Sequence, residues 1–193
     1  MILALAALVA LTDTVVLDNA YVRVTKNGAP CASAATAGCG DRVIVALNDV
    51  VMRMGRADRR MKRGDIVVFQ VGESYQAPSS GNYFEVAFKR GHPAVQSPRE
   101  LIRPSKNEVL FENARFFVFE EKLAVGDTRA RHSHSQRVVI QLNRTKLQQW
   151  AEGQPELMRD IEPDRPGFNP PVIHTVKNVG ALPLRGIVIE LKP

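Results

Sequence analysis

The chain has 193 residues, of which 45% are hydrophobic and 24% charged, close to the average of globular proteins; that balance excludes a disordered or collagen-like chain. Lys and Arg number 26 against 20 Asp and Glu, a formal charge of +6, which permits weak attraction to anionic polymers or membranes without fixing a partner. Only Cys31 and Cys39 carry thiols, too few for a disulfide scaffold or a zinc site built from cysteine alone.

Met1 to Leu11 contain no polar side chain. The run is shorter than the roughly 20 apolar residues a membrane-crossing helix needs, and no other segment offers a stable membrane span. It fits the apolar core of a secretory signal peptide, although the usual preceding basic residues are missing. The expected destination is periplasmic or secreted; the alternative is a cytoplasmic protein with a buried N-terminal segment. Cys31 and Cys39, with seven residues between them, are a plausible disulfide in an exported chain and free thiols in a reducing compartment.

From residue 12 the texture is β. Val15–Leu17, Tyr21–Val24, Val43–Leu47, Ile66–Phe69, Tyr83–Phe88, Phe116–Phe119, Val138–Leu142 and Ile187–Leu191 are short, rich in β-branched and aromatic residues, and bounded by turn formers. Lys146 to Asp160 is the one stretch with some helical character, and Gly153 and Pro155 interrupt it. Many short strands predict an all-β sandwich or barrel.

The two halves resemble each other. Leu17-Asp18-Asn19-Ala20 recurs as Phe111-Glu112-Asn113-Ala114, Asp41–Asn48 as Gln136–Asn143, and Phe84–Lys89 as Ile187–Lys192, in the same order. This pattern predicts a tandem duplication with units at 12–89 and 108–193, joined by a linker at 90–107 that holds Pro93, Pro98, Pro104 and an inert His92. The densest basic stretch, Arg53, Arg56, Arg59, Arg60, Lys62 and Arg63, has no interleaved aromatic residue. It therefore reads as a solvated hairpin rim, and no nucleic-acid partner is expected.

Candidate chemistry gathers on three of the four histidines. His132 and His134 stand two apart in a β context, so alternation aims both imidazoles at one face. His174 follows about forty residues later, just before the closing strands. Neutral imidazole is the commonest metal-ligating side chain and suits Zn, Cu, Fe and Ni; the expected ion is one of Fe, Mn, Ni, Cu or Zn.

Gly126-x5-His132-x-His134 resembles the first half of the first cupin motif, and His174-x3-Asn178 the end of the second. Lys62–Phe69 is similar to the Gly-Asp turn that leads into a cupin barrel strand. The resemblance implies two tandem small cupin (jelly-roll) β-barrels, with a metal site only in the C-terminal one. It also implies one divalent transition metal held by His132, His134 and His174; Gln141 is read as a cavity-facing hydrogen-bond donor beside those ligands.

The chain departs from the family where a Glu commonly follows the second histidine: those positions are Val138 and Val139. The usual Pro-x-Gly before the last histidine is replaced around Asn169 and Pro171. The expected inner sphere is therefore three neutral histidines and no carboxylate. Arg137 is read as solvated, with anion binding at the cavity mouth as the other reading. In the N-terminal half Ala37 and Cys39 align with His132 and His134, and Tyr75 or Gln76 falls near His174, so that barrel is expected to be degenerate.

What the resemblance implies for function is an Fe(II)-type dioxygenase or a metal-dependent isomerase or lyase acting on a small organic acid or sugar. The alternative is a non-catalytic, exported cupin module that binds a small-molecule ligand or sugar. Cupins commonly form homodimers, so the chain either dimerises or supplies that packing internally.

Overall fold

The computed structural model describes residues 14–28, 40–89 and 107–192. The apolar N-terminal run, Cys31, Ala37, Cys39, His92 and nearly all of the Pro-rich connection lie outside the described residues. Among the described residues the regular structure is entirely β-strand, and no helix is long and apolar enough to cross a membrane.

The first half contributes β1 (Thr14–Asp18), β2 (Val22–Lys26), β3 (Arg42–Ala46), β4 (Val50–Met54), β5 (Ala57–Met61), β6 (Ile66–Phe69) and β7 (Tyr83–Phe88). The second contributes β8 (Glu108–Glu112), β9 (Phe116–Leu123), β10 (Thr128–His134), β11 (Arg137–Gln141) and β12 (Thr145–Ala151). It continues with β13 (Leu157–Ile161), β14 (Gly167–Asn169), β15 (Val172–Asn178) and β16 (Leu184–Leu191).

One five-stranded sheet runs β1-β2-β7-β3-β6, and a second runs β8-β9-β16-β11-β14, the same order strand for strand. The β4–β5 hairpin lies apart from the first sheet, whereas the second half adds a four-stranded sheet, β10-β15-β12-β13. The repeated sequence segments occupy equivalent places. Asn19 Oδ1 accepts from the amides of Tyr21 and Val22, and Asn113 Oδ1 from those of Arg115 and Phe116. Both first hairpins also carry an irregular register, between Val15 and Leu17 and between Val109 and Phe111. The duplication is thus present in topology as well as in sequence.

Alternation along the central strands explains why they read as unbroken apolar runs. On β3, Val43 and Val45 face the other half of the chain, while Ile44 and Ala46 face the interior of their own. With both faces buried, neither needs to be polar. The faces turned toward each other merge into one core, with Val22, Val43 and Phe88 from the first half and Phe116, Ile140 and Ile187 from the second. Phe88 and Phe116 stack with ring centroids 4.2 Å apart.

The predicted basic rim divides. Arg53, Arg56, Arg59, Arg60 and Lys62 are exposed on or beside the β4–β5 hairpin. Arg63 is instead half-buried and joins the two halves: it donates to the carbonyls of Leu47 and Leu142 and pairs with Asp164 at 2.7 Å. The Gly-Asp turn beside it needs glycine, because Gly64 has φ +91° and a Cβ there would meet Leu142 Cδ1 at 2.7 Å. Inside the first half, Met52, Met61, Tyr75 and Tyr83 pack between sheet and hairpin. Tyr75, aligned near His174, donates its hydroxyl to the Glu85 carboxylate.

Candidate metal centre

His132 and His134 lie at the end of β10, and His174 lies on the adjacent β15. The antiparallel register sets His132 directly opposite His174, so their side chains share a face, and His134, two residues on, joins them. All three are buried, at 1%, 3% and 7% exposure. Their ligating nitrogens lie within 4.8 Å of one another, so the cluster can hold a metal ion.

The outer nitrogens fix how the rings face. His132 Nδ1 donates to the Ala130 carbonyl at 2.8 Å and His134 Nδ1 to Glu190 Oε2 at 2.9 Å. Carbonyl and carboxylate oxygens only accept, so both rings carry their proton on Nδ1 and present a bare Nε2 inward. Glu190 is itself anchored, its other oxygen accepting from the Ser135 amide at 2.7 Å.

His174 Nδ1 lies 2.8 Å from the Gln149 amide, and its Nε2 lies 3.0 Å from His132 Nε2. An amide can donate through nitrogen or accept through oxygen, so Gln149 serves either tautomer of His174. In one, His174 Nε2–H bonds His132; in the other, both Nε2 lone pairs are free for a cation. Metal–imidazole bonds of about 2.1 Å at a right angle place two nitrogens about 3.0 Å apart. The donor set therefore fits a divalent transition metal.

Burial holds all three rings neutral. Loss of solvation pushes His134 and His174 down to about 2, reinforced at His134 by Arg137 and at His174 by the other two histidines. His132 is lowered for the same reason, against the opposing bond to Ala130. Neutral imidazole is the form that ligates metal. Replacing Glu190 by Gln keeps an acceptor for His134 but removes its charge. Metal affinity, measured by competition with a chelator, is expected to fall about tenfold.

The cluster opens on a cavity of about 250 Å³ whose lining includes His134, His174, Arg137, Gln141, Gln149 and Glu121. A larger neighbouring cleft shares Arg137, Gln149, Arg159 and Asn169 with it. Arg137 corrects the sequence reading: it is 8% exposed, not solvated, and donates to the Pro170 carbonyl at 2.9 Å. On β11 the parity puts Val138 and Ile140 in the shared core and Arg137, Val139 and Gln141 on the cavity side. Burial lowers the Arg137 guanidinium to about 10, with Glu190 and Glu121 opposing, so it stays charged at neutral pH.

Glu121, Glu190 and Gln149 went unrecognised in the sequence. The legible signal was Glu190, a carboxylate inside the otherwise apolar Ile187-Val188-Ile189-Glu190-Leu191. Burial raises the Glu121 carboxyl above its ordinary range, opposed by Arg129 and Arg137.

Asn178, the last residue of the His174-x3-Asn178 element, is fully buried and has a structural task. Its Oδ1 accepts from Thr145 Oγ1 and the Gly180 amide, and its Nδ2 donates to the carbonyls of Leu123 and Leu182. Asn178→Ala strands these groups and is expected to cost about 2–3 kcal/mol in chemical denaturation.

No family model matches the sequence, and no curated protein matches it significantly. Solved structures do match in fold. A cupin 2 conserved barrel domain protein from Leptotrichia buccalis is 13% identical, with 94% of this chain and 88% of that one covered and a TM-score of 0.58. AerE from Microcystis aeruginosa is 13% identical over 94% and 97%, with a TM-score of 0.57. A variant of the Bacillus subtilis oxalate decarboxylase is 12% identical over 88% and 68%, with a TM-score of 0.54. At these identities the likeness is one of fold, and it agrees with the repeated sheet order: the chain has the tandem cupin fold, with its three-histidine cluster in the C-terminal barrel.

Proposed function

We propose that this protein is a metal-dependent cupin whose C-terminal barrel binds one divalent transition-metal ion through His132, His134 and His174 and takes a small organic acid. The carrying observation is the meeting of two features in one cavity. Bare imidazole nitrogens converge on one wall, and a buried, charged Arg137 forms another. A guanidinium in a site of low dielectric suits a carboxylate. The name of one structural neighbour, an oxalate decarboxylase, shows the same fold serving a small acid.

A bound ion would supply Lewis acidity toward a ligand oxygen; Fe, Ni, Cu and Zn suit three imidazoles, whereas Mn favours oxygen ligands. Arg137 holds the carboxylate, and Glu190, Gln149 and the Ala130 carbonyl orient the rings. A second reading, a binding module without turnover, draws on Val139, an apolar side chain on the cavity wall where many cupins carry a Glu. Export to the periplasm or beyond is proposed from the N-terminal sequence alone.

Metal analysis of protein purified without a histidine tag tests the site. Near one equivalent is expected, falling to background in a folded His132→Ala, His174→Ala double variant; unchanged metal in that variant sinks the proposal. Titration of metal-loaded protein with butyrate and butyramide tests the acid. Only the charged ligand is expected to bind, and equal binding removes the role of Arg137. Dioxygen uptake by Fe(II)-loaded protein across a panel of keto acids and diketones separates an oxygenase from a binding module.

A further inference from the structure

The cavity has a second polar end, away from Arg137. Register places Gln141 of β11 opposite Gly186 of β16, and Gly186 opposite Glu121 of β9, so the three stand side by side across the sheet. Gly186 leaves a gap that Gln141 occupies: a Cβ on Gly186 would come within 2.7 Å of Gln141 Oε1. That oxygen is buried without a hydrogen-bond partner. Gln141 and Glu121 both line the cavity with Arg137, His134 and His174. Arg129 lies behind Glu121, its Nε 3.8 Å from the carboxylate.

A buried amide oxygen that the protein leaves unpaired is costly, and a flip of the Gln141 amide relieves it by turning the oxygen to the cavity, where a donor can reach it. A hydroxyl both donates and accepts, so it suits the Gln141 amide in either orientation and has Glu121 as its neighbour. Gln141 and Arg137 are four residues apart on one strand, about 13 Å along the backbone, and their side chains shorten that span. A hydroxyl directly beside the carboxylate does not bridge the two ends; one several carbons away does.

We infer that Gln141 and Glu121, brought together across Gly186, form a hydroxyl-recognising end of the cavity. The ligand is then a small hydroxy acid whose hydroxyl is remote from its carboxylate. This rests on the reading that the carboxylate faces Arg137.

The test is calorimetric titration of the metal-loaded protein with 4-hydroxybutyrate and butyrate. 4-Hydroxybutyrate is expected to bind about tenfold tighter. Gln141→Leu should bring the ratio to one, with one equivalent of metal retained. Gly186→Ala, which drives the amide out of its gap, should lower the ratio with one equivalent of metal retained. A wild-type ratio near one, with butyrate still bound and metal still present, overturns the hydroxyl end and leaves the acid reading standing. A preference that survives both variants also overturns it. Failure of metal-loaded protein to bind either acid removes both readings.

Discussion

Truncating Phe116 to alanine is expected to destabilise both halves of the chain together, by about 3–5 kcal/mol. Phe116 is fully buried and stacks on Phe88 of the first half. Among the described residues it belongs to the one cluster that takes side chains from both five-stranded sheets. A lost ring leaves a void that hydrogen-bonded sheets close only in part, so the transfer and cavity costs add. Total stabilities of 5–15 kcal/mol make that a large fraction. Because the cluster is shared, unfolding should remain one transition. Fluorescence of Trp150, the only tryptophan, and far-UV circular dichroism should report the same denaturant midpoint, shifted equally in the variant. Two separated midpoints would show that each half holds its own core. Internal packing of this kind occupies a sheet face on each half.

The strands of that shared core were the most legible part of the sequence, for the reason that makes them stable. β3, β11 and β16 are buried on both faces, so Val43–Leu47, Val138–Leu142 and Ile187–Leu191 stand out as apolar runs without needing a register. The three histidines were legible because a two-residue step survives in any straight strand. The surroundings of the site were not. Arg137 looked solvated because a charged residue beside a strand usually is; its burial follows from which way Val138 faces, and that is decided by the other half of the protein. Arg129 is buried on β10 near the histidines because the β10–β15 register shifts between Arg129 and His132, an irregularity with no signature in the sequence. Glu190, Gln149 and Glu121 come to the site from three further strands. Only the sheet order brings them to partners as distant in sequence as His134 is from Glu190, 56 positions. Gly186 matters for what it leaves empty, and no local pattern distinguishes it from a turn glycine.

Metal affinity is expected to stay nearly constant between pH 7.5 and 5.5, while the stability of the metal-free fold falls in acid. His174 is held at about 2 by burial and by its two neighbours, against about 6.5 in the unfolded chain. Its folded value is depressed, so the stability it contributes is present above pH 6.5 and lost as pH falls through the window between the two values. Below pH 6.5 the unfolded chain takes up a proton that the fold refuses, at about 1.4 kcal/mol per pH unit. By pH 4.5 the loss reaches about 2.7 kcal/mol from this residue alone, and His132 and His134 act in the same direction. For metal the consequence is opposite. Exposed imidazoles with ordinary values lose up to tenfold in affinity per ring and per pH unit below about 6.5, because protons compete for the ligating nitrogen. Here His134 and His174, held at about 2, stay neutral throughout that range, so protons reach those two rings only after unfolding, and burial lowers His132 in the same direction. Competition titrations with Ni²⁺ and a chelator at pH 7.5, 6.5 and 5.5, with folding checked by circular dichroism, should give dissociation constants within about threefold of one another after correction for the chelator. Acid release of the ion should then coincide with the unfolding transition rather than precede it. A tenfold or greater weakening in protein that is still folded would mean that the imidazoles protonate in place, and the buried, neutral triad would have to be abandoned.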